Sequence, residues 1–295
     1  MSYLDTITEE IKLTEHINLI TSNGLKYLSI AHPKATASIS LFGAHLLSFT
    51  PTNSAPVIWM SDDAIFNGVK AIRGGVPICW PWFGPAKESP TVQPLAKTQE
   101  YPSHGFARNS HWQLLSSQSN DDSCLIRLQL TDSPESKRLW PHSFNLIAEF
   151  IISDTLTINL TTYNTGNDNF DYSSALHSYF QISHPDAVSV DGLDQSTQTP
   201  RTLTGEVDIV CENPSATIAL HDEQLQHTIN IENEGNNVMV VWNPWESGAK
   251  AFADMPDDGY KTMFCLEPTI IGKKAVTVTA GHSHTLTTTL SVTPR

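Results

Sequence analysis

Thr155-Leu156-Thr157-Ile158-Asn159-Leu160-Thr161-Thr162-Tyr163 alternates apolar and polar side chains. Successive side chains of a strand point to opposite faces, so Leu156, Ile158 and Leu160 fall on one side and Thr157, Asn159 and Thr161 on the other. This is the pattern of an antiparallel sheet with one face on a core and the other in water. Toward the N-terminus, residues 144–152 and Cys124-Leu125-Ile126-Arg127-Leu128-Gln129-Leu130 read as further strands, divided by a turn or short helix at Ser133-Pro134-Glu135-Ser136. Further upstream, strand signals at 16–21, 26–31 and 35–41 are separated by Ser22-Asn23-Gly24 and His32-Pro33, which predicts a meander continued by 42–49 and 57–60. Toward the C-terminus, short strands are predicted at 188–192, 207–211, 216–220, 228–232, 238–242, 276–279 and 285–292. Regular strands divided by short turns imply an all-β fold, a large antiparallel β-sandwich of two packed sheets with few short helices. No composition break divides the chain, so residues 1–295 read as one domain, with 1–15 as an N-terminal arm or short helix.

The balance of charge narrows the partners. A formal charge of -14 argues against nucleic acid or an anionic membrane surface, and an anionic small molecule would need a local cluster of arginines. Cys79, Cys124, Cys211 and Cys265 are widely spaced with no CxxC pair, which fits reduced thiols in the cytoplasm. The N-terminus has acidic residues and no apolar signal-like core, and no apolar run approaches membrane-spanning length.

One run departs from the strand pattern: Arg73-Gly74-Gly75-Val76-Pro77-Ile78-Cys79-Trp80-Pro81-Trp82-Phe83-Gly84-Pro85. Prolines at 77, 81 and 85 rule out a helix, so the run is extended or looped. Its aromatics either plug a core or line a pocket, while Arg73 offers a planar fork suited to phosphate or carboxylate. After it, residues 86–103 are rich in Pro, Gln, Thr and Lys and are expected to form a surface excursion leading to His104-Gly105-Phe106-Ala107-Arg108.

Three groups could carry chemistry. His177, between Leu176 and Phe180, reads either as a satisfied core histidine or as a proton donor in a cleft. Glu267 ends the apolar run Met263-Phe264-Cys265-Leu266, where burial would raise its pKa and make it a better base; the alternative is a strand-end carboxylate in water. His104, Arg108 and Arg73, beside Gly105 and Gly74-Gly75, could cradle an anion, which is notable because the whole chain has only 17 lysines and arginines. Among the 12 histidines, His282 and His284 share a strand face but have no acidic residue after them to complete a set, so they read as exposed tail sequence rather than a metal site.

The combination RGGVPICWPWFGP, HGFAR, ALHSYF, WNPW and DMPDDGYKTMFCLEP resembles the glucose-6-phosphate 1-epimerases, the hexose-6-phosphate branch of the aldose 1-epimerase family. The resemblance runs in order from Arg73 to Pro268 and implies a galactose mutarotase-like β-sandwich that interconverts hexose 6-phosphate anomers without cofactor or metal. It also implies a phosphorylated sugar as the small-molecule partner; separately, a monomer is expected. By that resemblance His177 is the general acid and Glu267 the general base. Arg73 and Arg108 bind the phosphate side, His104 lines the pocket and Asp208 holds the sugar; the aromatic side chains of Trp80, Trp82 and Phe83 are expected to offer faces or walls to the sugar's C–H surface. Ile209-Val210-Cys211 after Asp208, and Ser103 before His104, depart from the family pattern. An epimerase of unphosphorylated aldoses and a non-catalytic carbohydrate-binding sandwich are the rival expectations.

Overall fold

The computed structural model describes residues 6–96, 100–194 and 205–294. Among the described residues, the strands form four antiparallel sheets. The N-terminal meander is a five-stranded sheet running in chain order from Ile7–Lys12 to His45–Pro51. An eight-stranded sheet contains Leu156–Asn164, flanked by Phe144–Ile152 on one side and by Ser283–Pro294 on the other. The third sheet runs Val207–Cys211, Val238–Asn243, Met263–Ile270, Ser174–Leu176, Ile78–Cys79, with Tyr179–Gln181 also paired to Met263–Ile270. A two-stranded ribbon, Phe170–Tyr172 with Val276–Val278, completes the set. One apolar cluster joins residues from all of them, including Leu28, Phe49, Ile158, Leu176, Ile231 and Leu266.

Alternation along Leu156–Asn164 is as expected, with every second residue buried. Its half-buried outer rungs close on the neighbouring strand Ser283–Pro294 through Thr157 and Thr289, 3.0 Å apart, and Thr161 and Thr285, 2.9 Å apart. The Arg73–Pro85 run contributes the short strand Ile78–Cys79 to the third sheet and inserts Trp80 into the core. The Trp80 indole donates to Thr162 Oγ1 at 3.0 Å and meets Phe144, Trp140 and Phe106 at ring distances of 4.5, 5.1 and 5.6 Å. Truncating an aromatic so enclosed typically costs about 3–5 kcal/mol.

Two glycines make this insertion possible. Gly75 has φ +69°, and a Cβ there would collide with the Leu46 carbonyl and the His45 ring. Without one, the run lies against the meander and His45 Nε2–H donates to the Gly74 carbonyl at 2.7 Å. Gly105, at φ +73°, lies against the Trp80 carbonyl, where no side chain fits.

Three local expectations are corrected. Residues 7–12 form neither a helix nor a loose arm; they pair with Ile17–Ser22 as an edge strand. All six are exposed, so no apolar face announced the strand; backbone pairing and polar contacts such as Asn18 Nδ2 donating to Glu10 Oε1 at 2.7 Å hold it. The 86–103 excursion is not confined to the surface, because Ala86, Val92 and Ala96 return to the core. Trp245 does more than turn the chain, since it opens the helix Trp245–Ala251 after Asn243 Oδ1 accepts its amide at 2.9 Å.

Candidate active site

The third sheet brings together residues remote in sequence. Ala175 pairs with Thr269 and Tyr179 with Cys265, so the same register sets His177 opposite Glu267. His177 falls in the break between Ser174–Leu176 and Tyr179–Gln181, where its amide donates to the Pro77 carbonyl at 3.0 Å. His177 Nε2 approaches Glu267 Oε1 at 3.4 Å. Both are buried, and His177 Nδ1 and Glu267 Oε2 have no hydrogen-bond partner among the described residues. On the next two strands Cys265 pairs with Trp242 and Trp242 with Asp208, so paired side chains extend the same face outward to an exposed aspartate.

Burial drives both members of the pair toward their neutral forms. It lowers His177 well below the usual histidine value, with the charges of His104, Arg108 and Arg73 adding to the effect. It raises Glu267 well above the usual carboxylate range, Asp208 adding and Arg108 opposing. The His177 ring stacks on Tyr179 at 4.8 Å with an interplanar angle of 12° and meets Trp242 edge-on at 5.9 Å. His104, held at φ +60°, meets His177 at 5.9 Å. The Gly84 amide donates to His104 Nδ1 at 3.3 Å, so the neutral ring carries its proton on Nε2. Burial, then Arg108 and Arg73, lower His104 to about 3 and keep it in that form.

The arginines are held differently. Arg73 Nε donates to Asp254 Oδ1 at 3.1 Å and Nη1 to Tyr179 Oη at 3.3 Å, while the guanidinium lies 4.1 Å from the Phe252 ring centre. Arg108 Nη2 donates to the Ser103 carbonyl at 2.9 Å, and its buried Nε has no partner among the described residues. Lys70, Arg73 and Arg108 line one cavity of about 310 Å³, together with Tyr179 and Pro77. That cavity adjoins the His177–Glu267 pair, because Tyr179 stacks on His177 and Pro77 accepts its amide. A larger cavity of about 670 Å³ beside Phe106, Leu130 and Leu139 contains none of the predicted site residues.

Trp82 is the clear departure from expectation. It is fully buried, donates to the Pro102 carbonyl at 3.0 Å and packs on Tyr101 and Phe106, so its ring serves the core and offers no face to a ligand. Phe83, the next residue, is half-buried and meets His104 at 5.0 Å. His284 is not exposed tail either: it is half-buried, with Nδ1 at 2.8 Å from Tyr172 Oη. His282 is exposed, its Nδ1 at 3.1 Å from the Ala280 carbonyl. Among the described residues, the group with donor atoms close enough to hold a metal is elsewhere, at His177, Cys265 and Glu267. Sequence reasoning also missed Lys70, Tyr179, Trp242 and Asp254. Three had a signal, since Tyr179, Trp242 and Asp254 lie inside ALHSYF, WNPW and DMPDDG, while Lys70 lay outside every motif.

Residues 26–291 match the aldose 1-epimerase family. The chain belongs to that family. Among family members, an Escherichia coli K12 protein provisionally named glucose-6-phosphate 1-epimerase is 38% identical over 256 residues, 82% of each chain. A Cenchrus ciliaris protein with the same provisional name is 32% identical, covering 88% of this chain and 82% of its own. The crystal structure of a Salmonella typhimurium protein, provisionally described as a mutarotase, superposes with a TM-score of 0.87 at 34% identity and 97% coverage of both chains. The fold is therefore the antiparallel β-sandwich of the mutarotases.

Proposed function

We propose that the protein interconverts the α and β anomers of a hexose 6-phosphate, glucose 6-phosphate first among them, by acid–base opening and reclosure of the ring. The 3.4 Å approach of His177 to Glu267 in a buried site carries this reading. Glu267 takes the proton from O1 while His177 gives one to O5. The O1–H electrons become the C1=O1 π bond and the C1–O5 electrons stay on O5. Rotation about C1–C2 presents the other carbonyl face, and the reverse transfers close the opposite anomer. No nucleophile or electron carrier enters the balance.

The free enzyme favours the neutral pair, with one mobile proton on Glu267. Moving that proton to His177 creates the carboxylate base and imidazolium acid that the reaction needs. A phosphate carries about -1.5 to -2 charge at neutral pH. Seated against Arg73 and Arg108, it offsets two of the charges that discourage a proton on His177. Phosphate would thus favour both binding and the reactive proton arrangement. Lys70, Arg73 and Arg108 around one cavity, in a chain of net charge -14, favour a phosphorylated over a free aldose. Asp208, on the exposed end of the same face, is assigned to the sugar hydroxyls, and His104 Nε2–H is a donor beside the ring. Arginines around one cavity and a buried acid and base adjoining it suit turnover better than passive sugar binding.

All the residues in this scheme come from one chain, so a monomer suffices, and the continuous core supports a single domain. Four buried free thiols fit a reducing compartment such as the cytoplasm. The test is anomer exchange of glucose 6-phosphate followed by NMR. Wild-type protein should accelerate it strongly and Glu267→Gln and His177→Asn should not; a variant as fast as wild type removes its residue from the scheme.

A further inference from the structure

The acid–base pair has a third neighbour that ring opening does not use. Cys265 precedes Glu267 by two positions on Met263–Ile270 and therefore shares its face. One ligand atom each from His177, Cys265 and Glu267 lies within 4.8 Å of the other two, and all three residues are buried. Imidazole nitrogen, thiol sulfur and carboxylate oxygen are the donors that zinc prefers. In a tetrahedral site with bonds of about 2.1 Å, two ligands stand about 3.4 Å apart. His177 Nε2 and Glu267 Oε1 already have that separation, 3.4 Å. Glu267 Oε2 is unpartnered among the described residues, so no competing hydrogen bond holds the carboxyl in place.

We infer that His177, Cys265 and Glu267 form a site for a thiophilic divalent cation such as Zn²⁺, and that its occupancy reversibly stops anomer exchange. The inhibitory part rests on the reaction roles proposed above for His177 and Glu267. With the cation seated, the imidazole lone pair and the carboxylate are both bound to metal and neither can exchange a proton with sugar. Charge does not forbid this despite Arg73 and Arg108 nearby. Coordination releases the thiol proton to solvent, and burial also leaves a carboxyl proton on Glu267 to be released. A doubly charged cation then replaces two protons, and the net charge facing the arginines is unchanged. Three protein ligands leave a fourth position for water, and His177, the most exposed of the three at 9%, marks the way in.

The experiment uses the full chain, stripped with EDTA and then titrated with Zn²⁺ while glucose 6-phosphate anomer exchange is followed. Exchange should fall at least tenfold in a saturable manner and return when EDTA is added. Cys265→Ser should keep its basal exchange while needing at least tenfold more Zn²⁺ for the same inhibition, and Cys79→Ser should behave as wild type. Independently of activity, Co²⁺ added to the wild-type protein should give a thiolate-to-metal charge-transfer absorption that Cys265→Ser lacks. The Co²⁺ spectrum of the wild type decides the matter if Cys265→Ser does not fold. Absence of that absorption, unchanged inhibition in Cys265→Ser, or stimulation of exchange by Zn²⁺ would each overturn the inference. A stripped wild-type protein that never accelerates exchange would instead overturn the proposed function, while the Co²⁺ spectrum still reports on the metal site.

Discussion

Leu156–Asn164 is buried at every second position, whereas Met263–Ile270 is buried at all eight. On the first strand three polar side chains of the outer face find partners across the sheet, Thr157 with Thr289, Thr161 with Thr285 and Asn159 with Glu149, and Thr162 on the buried face accepts from the Trp80 indole. On the second, a carboxyl group lies 1% exposed with one oxygen unpartnered among the described residues, opposite an imidazole in the same condition. A satisfied polar rung contributes to stability, while a buried unsatisfied carboxyl costs it. The contrast teaches where to look for function: in the strand whose polar group the fold supports at a loss.

The largest effect expected from breaking this contrast is on the reaction. Glu267→Gln and His177→Asn should each lower the acceleration of anomer exchange by about 10²- to 10⁴-fold. Their thermal midpoints should stay at or above that of the wild type, because an awkward buried group has been removed. The opposite pattern is expected from the other strand: Ile158→Ala should cost about 2–5 kcal/mol of unfolding free energy in urea. Exchange per folded molecule should remain that of the wild type.

Next in size are the arginines. Charge-assisted hydrogen bonds contribute about 1.5–3 kcal/mol, so Arg73→Ala or Arg108→Ala should lower kcat/KM for glucose 6-phosphate on the order of 10- to 100-fold. Free glucose should be affected much less, and an equal loss on both sugars would remove the phosphate role. A comparable effect is expected from His45, which burial lowers from 6.5 to about 4. A depressed histidine contributes stability above pH 6.5 that is lost as pH falls toward its folded value, which amounts to about 2 kcal/mol at pH 5. Denaturant titrations should show the wild type losing stability from pH 7 to pH 5 by at least that amount, since His104 and His177 are depressed as well, and His45→Gln should make the loss smaller by the His45 share. The smallest effect belongs to the wet face: Thr161→Val should cost no more than about 1 kcal/mol.

How far the sequence reaches differs between the two regions for a physical reason. Alternation with period two is a local signal, so Leu156–Asn164 and Val207–Cys211 were legible at the level of single residues. Ile7–Lys12 was not, because a strand exposed at every position carries no hydrophobic pattern and depends on its neighbour's backbone. Trp82 was misread because an aromatic in a proline-rich run looks the same whether its ring turns inward or outward. Its burial depends on Tyr101, Pro102 and Phe106, which arrive from another part of the chain. His177, Glu267, Arg73, Arg108 and His104 were identified by residue type and by motif, yet their type says nothing of their separation.

By itself, then, the amino-acid order determined the strand-rich fold and singled out His177, Glu267, Arg73 and Arg108 as the candidate acid, base and phosphate-binding groups. Only the tertiary structure decided that the ladder Ala175–Thr269 and Tyr179–Cys265 sets His177 across from Glu267, that Asp254 and Tyr179 brace Arg73, and that Cys265 joins the pair. Strand propensity is written in neighbouring residues. The register between distant strands, and the loss of water that shifts His177 down and Glu267 up, exist only once those strands have packed together.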